Sequence, residues 1–160
     1  MNEREFFVER LKAEEPTFKK VFEALPAERM DYRPHPKSPS AAEIMRTMVA
    51  EFASCLELVE TGRTQWNPPP PRGRDEMARD YERNLIALRE RVAGLDDGGW
   101  QKPGQFSAGG KDYPPTPIGP FLWFILFDAI HHRGQLAAYL RPMGGKVPAI
   151  YGPSADERPA

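Results

Sequence analysis

Apolar residues recur at three- and four-residue spacing in four stretches of this chain, and glycines and prolines crowd the stretches between them. In the first stretch Phe6, Phe7, Leu11, Phe18, Val21 and Phe22 fall on one face, which predicts an amphipathic helix from Glu3 to Ala24. Pro16 lies inside it and is expected to kink or divide it, because its ring removes a backbone donor and crowds the preceding turn. A second helix is predicted from Ser40 to Glu60, with Ile44, Met48, Phe52, Cys55 and Val59 as its core stripe. Ser40 and Glu43 have capping-box spacing at its start, and Thr47 and Glu51 border the stripe one turn apart. A third helix, from Arg74 to Leu95, turns Met77, Tyr81, Leu85, Leu88 and Val92 inward and Arg79, Glu82, Arg83, Arg89 and Glu90 outward.

The fourth helix, from Pro117 to Arg141, is different. FLWFILF is apolar on every side, so that part of the helix is expected to be buried. Asp128, His131, His132 and Gln135 follow directly, and ionisable groups extending a buried run need partners. Gly144 and Gly145 suit a C-terminal stop.

The connections are long. Residues 25–39 are proline-rich and place His35 between two prolines, as a surface loop histidine. TGRTQWNPPPPRGR is expected to be extended. The glycine-rich segment 94–116 can form a short hairpin of QKPGQF and GKDY around Ala108, Gly109 and Gly110. Val147, Ile150 and Tyr151 can pack the tail back on the helices. The pattern predicts an all-α four-helix bundle in one domain, residues 1–160, with a core of 1–152 and a tail of 153–160.

Composition adds exclusions. With 160 residues, 40% hydrophobic and 28% charged, the chain suits one ordered domain with a sizeable core. A net charge of -1 and the lack of a basic stripe argue against nucleic acid and anionic lipid as partners. The longest apolar run, Phe121 to Phe127, falls far short of the ~18–20 residues of a membrane span. The charged N-terminus has no apolar signal region, and the single cysteine excludes an intramolecular disulfide framework. Together these features give the expectation of a cytoplasmic protein. Cys55, on an apolar stripe, is expected to be buried and inert.

Asp128 and His132 are one helical turn apart, while His131 is rotated about 100° away. This spacing fits two of the ligands of a metal such as Zn²⁺, Ni²⁺, Mn²⁺ or Fe²⁺, and Glu51 or Thr47 on the second helix could supply a third. It equally fits a hydrogen-bonded structural pair or a metal-free acid/base pair. Arg133 and Arg141 could hold a ligand's carboxylate or phosphate, but are expected as surface or helix-terminal charges.

HHRGQLAAYLR followed by MGGKVPAIYG, with ALPAERMDYRPHPKSPSAAEI earlier, resembles the DinB/YfiT-like superfamily over most of the chain. The resemblance implies a four-helix bundle, often dimeric, with up-down-down-up topology and a long crossover. It also implies a metal on three histidines, whose positions fall here on Thr47, Asp128 and His132. Only the last is a histidine. Glu51, one turn beyond Thr47, would complete an off-pattern Glu/Asp/His set that favours Mn²⁺ or Fe²⁺ over Ni²⁺ or Zn²⁺. The implied activity is metal-dependent thiol S-transfer or hydrolysis on a small molecule, with Asp128 and His132 as catalytic residues. The alternative is a non-catalytic dimer that has kept the fold and lost the metal. A homodimer is expected, with Phe6, Phe7, Trp66 and Trp100 as available aromatic surface.

Overall fold

The structure is a computed structural model that describes residues 1–158, so positions 159–160 of the expected tail lie outside the described residues. Four long helices carry the fold: α1 (Glu3–Ala24), α2 (Ala41–Thr61), α3 (Arg74–Ala93) and, after a short α4 (Asp97–Gln101), α5 (Ile118–Leu140). Both long N-terminal helices open with a capping box, from Asn2 and Glu5 in α1 and from Ser40 and Glu43 in α2, as the spacing in α2 predicts. α1 runs through Pro16 without division, because apolar residues on both sides of it, Leu11, Phe18 and Val21, are fixed in one core. At the other end of the chain, Gly144 takes φ 87° and Gly145 donates its N–H to Leu140 O at 2.8 Å, closing α5.

α3 and α5 each pack between α1 and α2, so α1 and α2 face each other across one diagonal. The directions follow from paired residues. Arg4 at the start of α1 donates to Ala93 O at the end of α3, so these helices are antiparallel. Arg91 and Glu60 pair at 2.8 Å near the ends of α3 and α2, so those two are parallel. Phe7 meets Trp123 near the starts of α1 and α5, and Tyr139 near the end of α5 donates to Pro39 O ahead of α2. The order is up-down-down-up. Parallel neighbours α2 and α3 require a connection that travels back along the bundle. α3, 20 residues long, spans about 30 Å. Residues 62–73, with Pro68–Pro71 among them, reach about 37 Å at polyproline rise.

A small sheet caps one end. β1 (Arg63–Gln65) pairs in parallel with β2 (Pro103–Ala108), with Thr64 opposite Phe106. β2 then forms the expected hairpin with β3 (Lys111–Asp112), and β4 (Thr116–Pro117) pairs with the start of β2. Gly109 and Gly110, at φ 57° and 75°, make the turn. The core is aromatic at its centre, where Phe18, Phe22 and Phe52 surround Tyr81.

Three expectations are corrected. The FLWFILF run is not buried on every side, since Phe124 and Phe127 are exposed. Arg133 is not a surface charge: it is 2% exposed, pairs with buried Glu14 at 2.6 Å and lies between the rings of Phe18 and Tyr151. Arg141 does stay exposed, paired with Asp156 at 3.0 Å. Phe7 and Trp100 are core residues rather than available surface, because their rings pack on each other and Phe7 also packs on Trp123. The large aromatic residues left in solvent are Phe6, Phe124, Phe127, Tyr113 and Tyr151.

Candidate metal centre

α2 and α5 run antiparallel, and their facing sides bring Glu51 against Asp128 and His132. Glu51 stands between the core residues Met48 and Phe52 on α2, so its carboxylate enters the bundle and is 2% exposed. Asp128 and His132 lie one turn apart on α5, beyond the apolar run, and are partly exposed. His132 Nε2 lies 3.4 Å from Glu51 Oε1 and 3.7 Å from Asp128 Oδ2. One donor atom from each of the three residues falls within 4.8 Å of the others, a spacing a single ion can span.

Two features sharpen the chemistry. His132 Nδ1 is 2.8 Å from Gln135 Oε1. A carboxamide oxygen only accepts, so Nδ1 carries the proton, and Nε2 of a neutral ring then directs its lone pair at the carboxylates. Glu51 Oε2 is buried and has no hydrogen-bond partner among the described residues. Such an oxygen is costly to leave unpaired.

Burial pushes the Glu51 carboxyl up to about 7, against the opposing pull of His132. Hydrogen bonding of the His132 ring to the Glu51 carboxylate pushes His132 up to about 9, against burial, with Gln135 adding to it. Burial thus governs the Glu51 carboxyl, and Glu51 in turn governs His132.

The sequence-level candidates divide cleanly. Glu51, Asp128 and His132 converge. Thr47 lines the adjoining cavity together with Glu51 and Asp128. His131 is exposed, and Cys55 is buried, with its thiol raised well above the ordinary range by burial. His35 is exposed in its loop.

A cavity of about 580 Å³ opens beside Glu51 and Asp128. Its walls include Trp66, Phe106, Phe121 and Ile125, none of which stands out in the sequence as a site residue. Trp66 is held there by backbone pairing, its N–H donating to Ser107 O at 2.7 Å at the end of β1. A large aromatic residue inside a proline-rich connection is the one signal that could have pointed to it.

A model of the DinB family matches residues 1–159. The uncharacterized protein YrdA of Bacillus subtilis strain 168 is 44% identical over 41 residues, and the chain spans only 25% of that relative's length in the match. The crystal structure of a DinB-like protein from Bacillus cereus ATCC 10987 superposes with a TM-score of 0.75 and 21% identity, covering 92% of this chain and 97% of that one. The DinB-like protein YjoA of Bacillus subtilis gives a TM-score of 0.68 and 18% identity over 88% and 93%. At these identities the two structures speak for the fold.

Proposed function

We propose that this chain, which belongs to the DinB family, holds one divalent metal on Glu51, Asp128 and His132 and serves in hydrolysis or thiol transfer on a small molecule. The observation that carries the reading is Glu51 Oε2, a buried carboxylate oxygen without a donor beside two further ligand-type side chains. A cation is the partner such an oxygen lacks. The donor set fits: two carboxylates and one neutral imidazole form a hard site, which favours Mn²⁺ or Fe²⁺ over Ni²⁺ or Zn²⁺. A divalent ion in this set supplies Lewis acidity that favours the deprotonated form of a thiol or water.

The remaining work falls to the chain's own residues. Gln135 fixes the tautomer and orientation of His132 through Nδ1. Asp128 is more open than Glu51 and faces the cavity, where its carboxylate can receive or return a proton. The proposed assembly is a homodimer, formed on the exposed strip of Phe6, Phe124 and Phe127.

One observation favours a second reading. Both ring nitrogens of His132 face oxygen acceptors, Gln135 Oε1 and Glu51 Oε1, as suits a doubly protonated imidazolium. In that case the three residues form a metal-free polar clasp in a non-catalytic protein. Calorimetric titration of chelator-treated protein with Mn²⁺ distinguishes the two. The metal reading expects one saturable site, lost in Glu51→Gln and His132→Ala; the absence of a saturable site for Mn²⁺, Fe²⁺, Zn²⁺ and Ni²⁺ would establish the clasp.

A further inference from the structure

The walls of the cavity carry information about what it admits. They are aromatic and aliphatic over most of their extent, with Phe106 against Phe121 at 5.6 Å between ring centroids, and Trp66 and Ile125 alongside. The charged side chains that line it are Glu51 and Asp128, and no lysine, arginine or histidine does so among the described residues. The nearest arginine along α5, Arg133, is committed to Glu14, Thr17 and Tyr151. His132 does not line the space. At about 580 Å³, the cavity is in the range that holds a small organic molecule.

We infer that this cavity selects an uncharged ligand with an apolar body of aromatic size, and that Trp66 and Phe121 are the side chains that select it. The inference rests on the metal-centre reading for the charge state of the loaded site. There, the two negative charges of Glu51 and Asp128 offset a divalent ion, and a neutral His132 adds none. An anionic ligand would lose its hydration against apolar walls, find no arginine or lysine among the described lining residues, and add negative charge to a centre whose ion is already neutralised by two carboxylates. A cationic ligand would meet a site whose carboxylates are already engaged. A neutral thiol, alcohol or ester with an aromatic body incurs neither penalty and gains ring contacts with Trp66 and Phe121. Without the ion the exclusion of anions remains, since Asp128 still faces the cavity and no lysine or arginine lines it among the described residues.

Equilibrium dialysis with three naphthalene probes tests this: 2-naphthylmethanol, 2-naphthoate and 2-naphthylmethylamine, at pH 7, with metal content measured in the retained protein. In the Mn²⁺-loaded protein the alcohol is expected to bind tightest, at least tenfold more tightly than naphthoate. Trp66→Ala and Phe121→Ala should each weaken alcohol binding at least threefold, with metal content and far-UV circular dichroism unchanged. A preference over naphthoate below tenfold, or an amine that binds the loaded protein more tightly than the alcohol, would overturn the inference. So would two variants that bind the alcohol like the parent. Failure of metal uptake overturns the function proposed above instead, and the tenfold preference over naphthoate then still stands or falls on the unloaded protein.

Discussion

Glu51 and His132 bind protons more tightly in the folded chain than free side chains do, because burial disfavours the carboxylate and the carboxylate favours the imidazolium. Relative to ordinary values of 4.5 and 6.5, the folded values of about 7 and about 9 mean that the native state carries extra protons across that range. Stability from these groups is therefore fully present at low pH and is lost as pH rises through about 7 for Glu51 and about 9 for His132. Chelator-treated protein should melt at a lower temperature at pH 9 than at pH 6. In Glu51→Gln this decline should flatten, because the main cause of the raised His132 value is gone; an equal decline in the variant would contradict the assignment. Arg133 makes a separate prediction. Arg133→Ala leaves Glu14 without the one buried cation that pairs with it among the described residues and should cost about 3 kcal/mol, the low end for a broken buried pair. Arg10, which reaches the other Glu14 oxygen at 2.5 Å, limits the loss. Urea denaturation measures it, and a cost below 1 kcal/mol (about one third of that figure) would show that the pair is not a structural requirement.

At the scale of elements, α5 begins against the ring of Trp100 on α4. A Cβ added at Gly119 would lie 2.2 Å from Trp100 Cε2, and a rigid indole packed against Phe7 cannot move aside easily. Gly119→Ala should cost about 1–3 kcal/mol through overpacking, read as a lowered denaturation midpoint with unchanged slope. This contact also shows where the sequence stops being legible. α1, α2 and α3 could be read from periodicity because each buries one continuous stripe of its own residues, and α5 from its unbroken apolar run. α4 could not, since its DGGWQ contains two glycines and a single buried side chain, Trp100. The parallel pairing of β1 with β2 joins short segments some 40 positions apart, Arg63 with Gln105, and no local pattern marks it. The site divides in the same way. Asp128 and His132 are neighbours on one helix and Glu51 borders a predicted stripe, so their convergence could be anticipated. Arg133 carries no local sign of burial, because its partner, Glu14, lies 119 residues away. Trp66 has no local signature as a cavity residue, because it reaches the cavity through tertiary strand pairing.

For the whole molecule, the exposed aromatic side chains of α1 and α5 form an unusual surface. Phe6, Phe124 and Phe127 are 45%, 64% and 62% exposed, and Trp123 stacks between Phe6 and Phe127. Apolar surface of this kind suits a symmetric partner. Phe124 also lines the site cavity, so a partner seated on the strip would approach its mouth. Sedimentation equilibrium should give a dimer for the parent and a monomer for Phe127→Glu, which lies outside the cavity lining; a parent that stays monomeric at high concentration would count against the proposed assembly. No helix among the described residues is long and apolar enough to cross a membrane. What unites fold and site is the antiparallel contact of α2 with α5, which carries Glu51 to Asp128 and His132. Elemental analysis of protein purified without a metal-affinity tag tests that contact as a metal centre most directly. One manganese or iron per chain, falling below a tenth in Glu51→Gln with helical content retained, is the expected result. A parent protein with less than a tenth of any divalent transition metal per chain, even after incubation with Mn²⁺ and Fe²⁺, would contradict it.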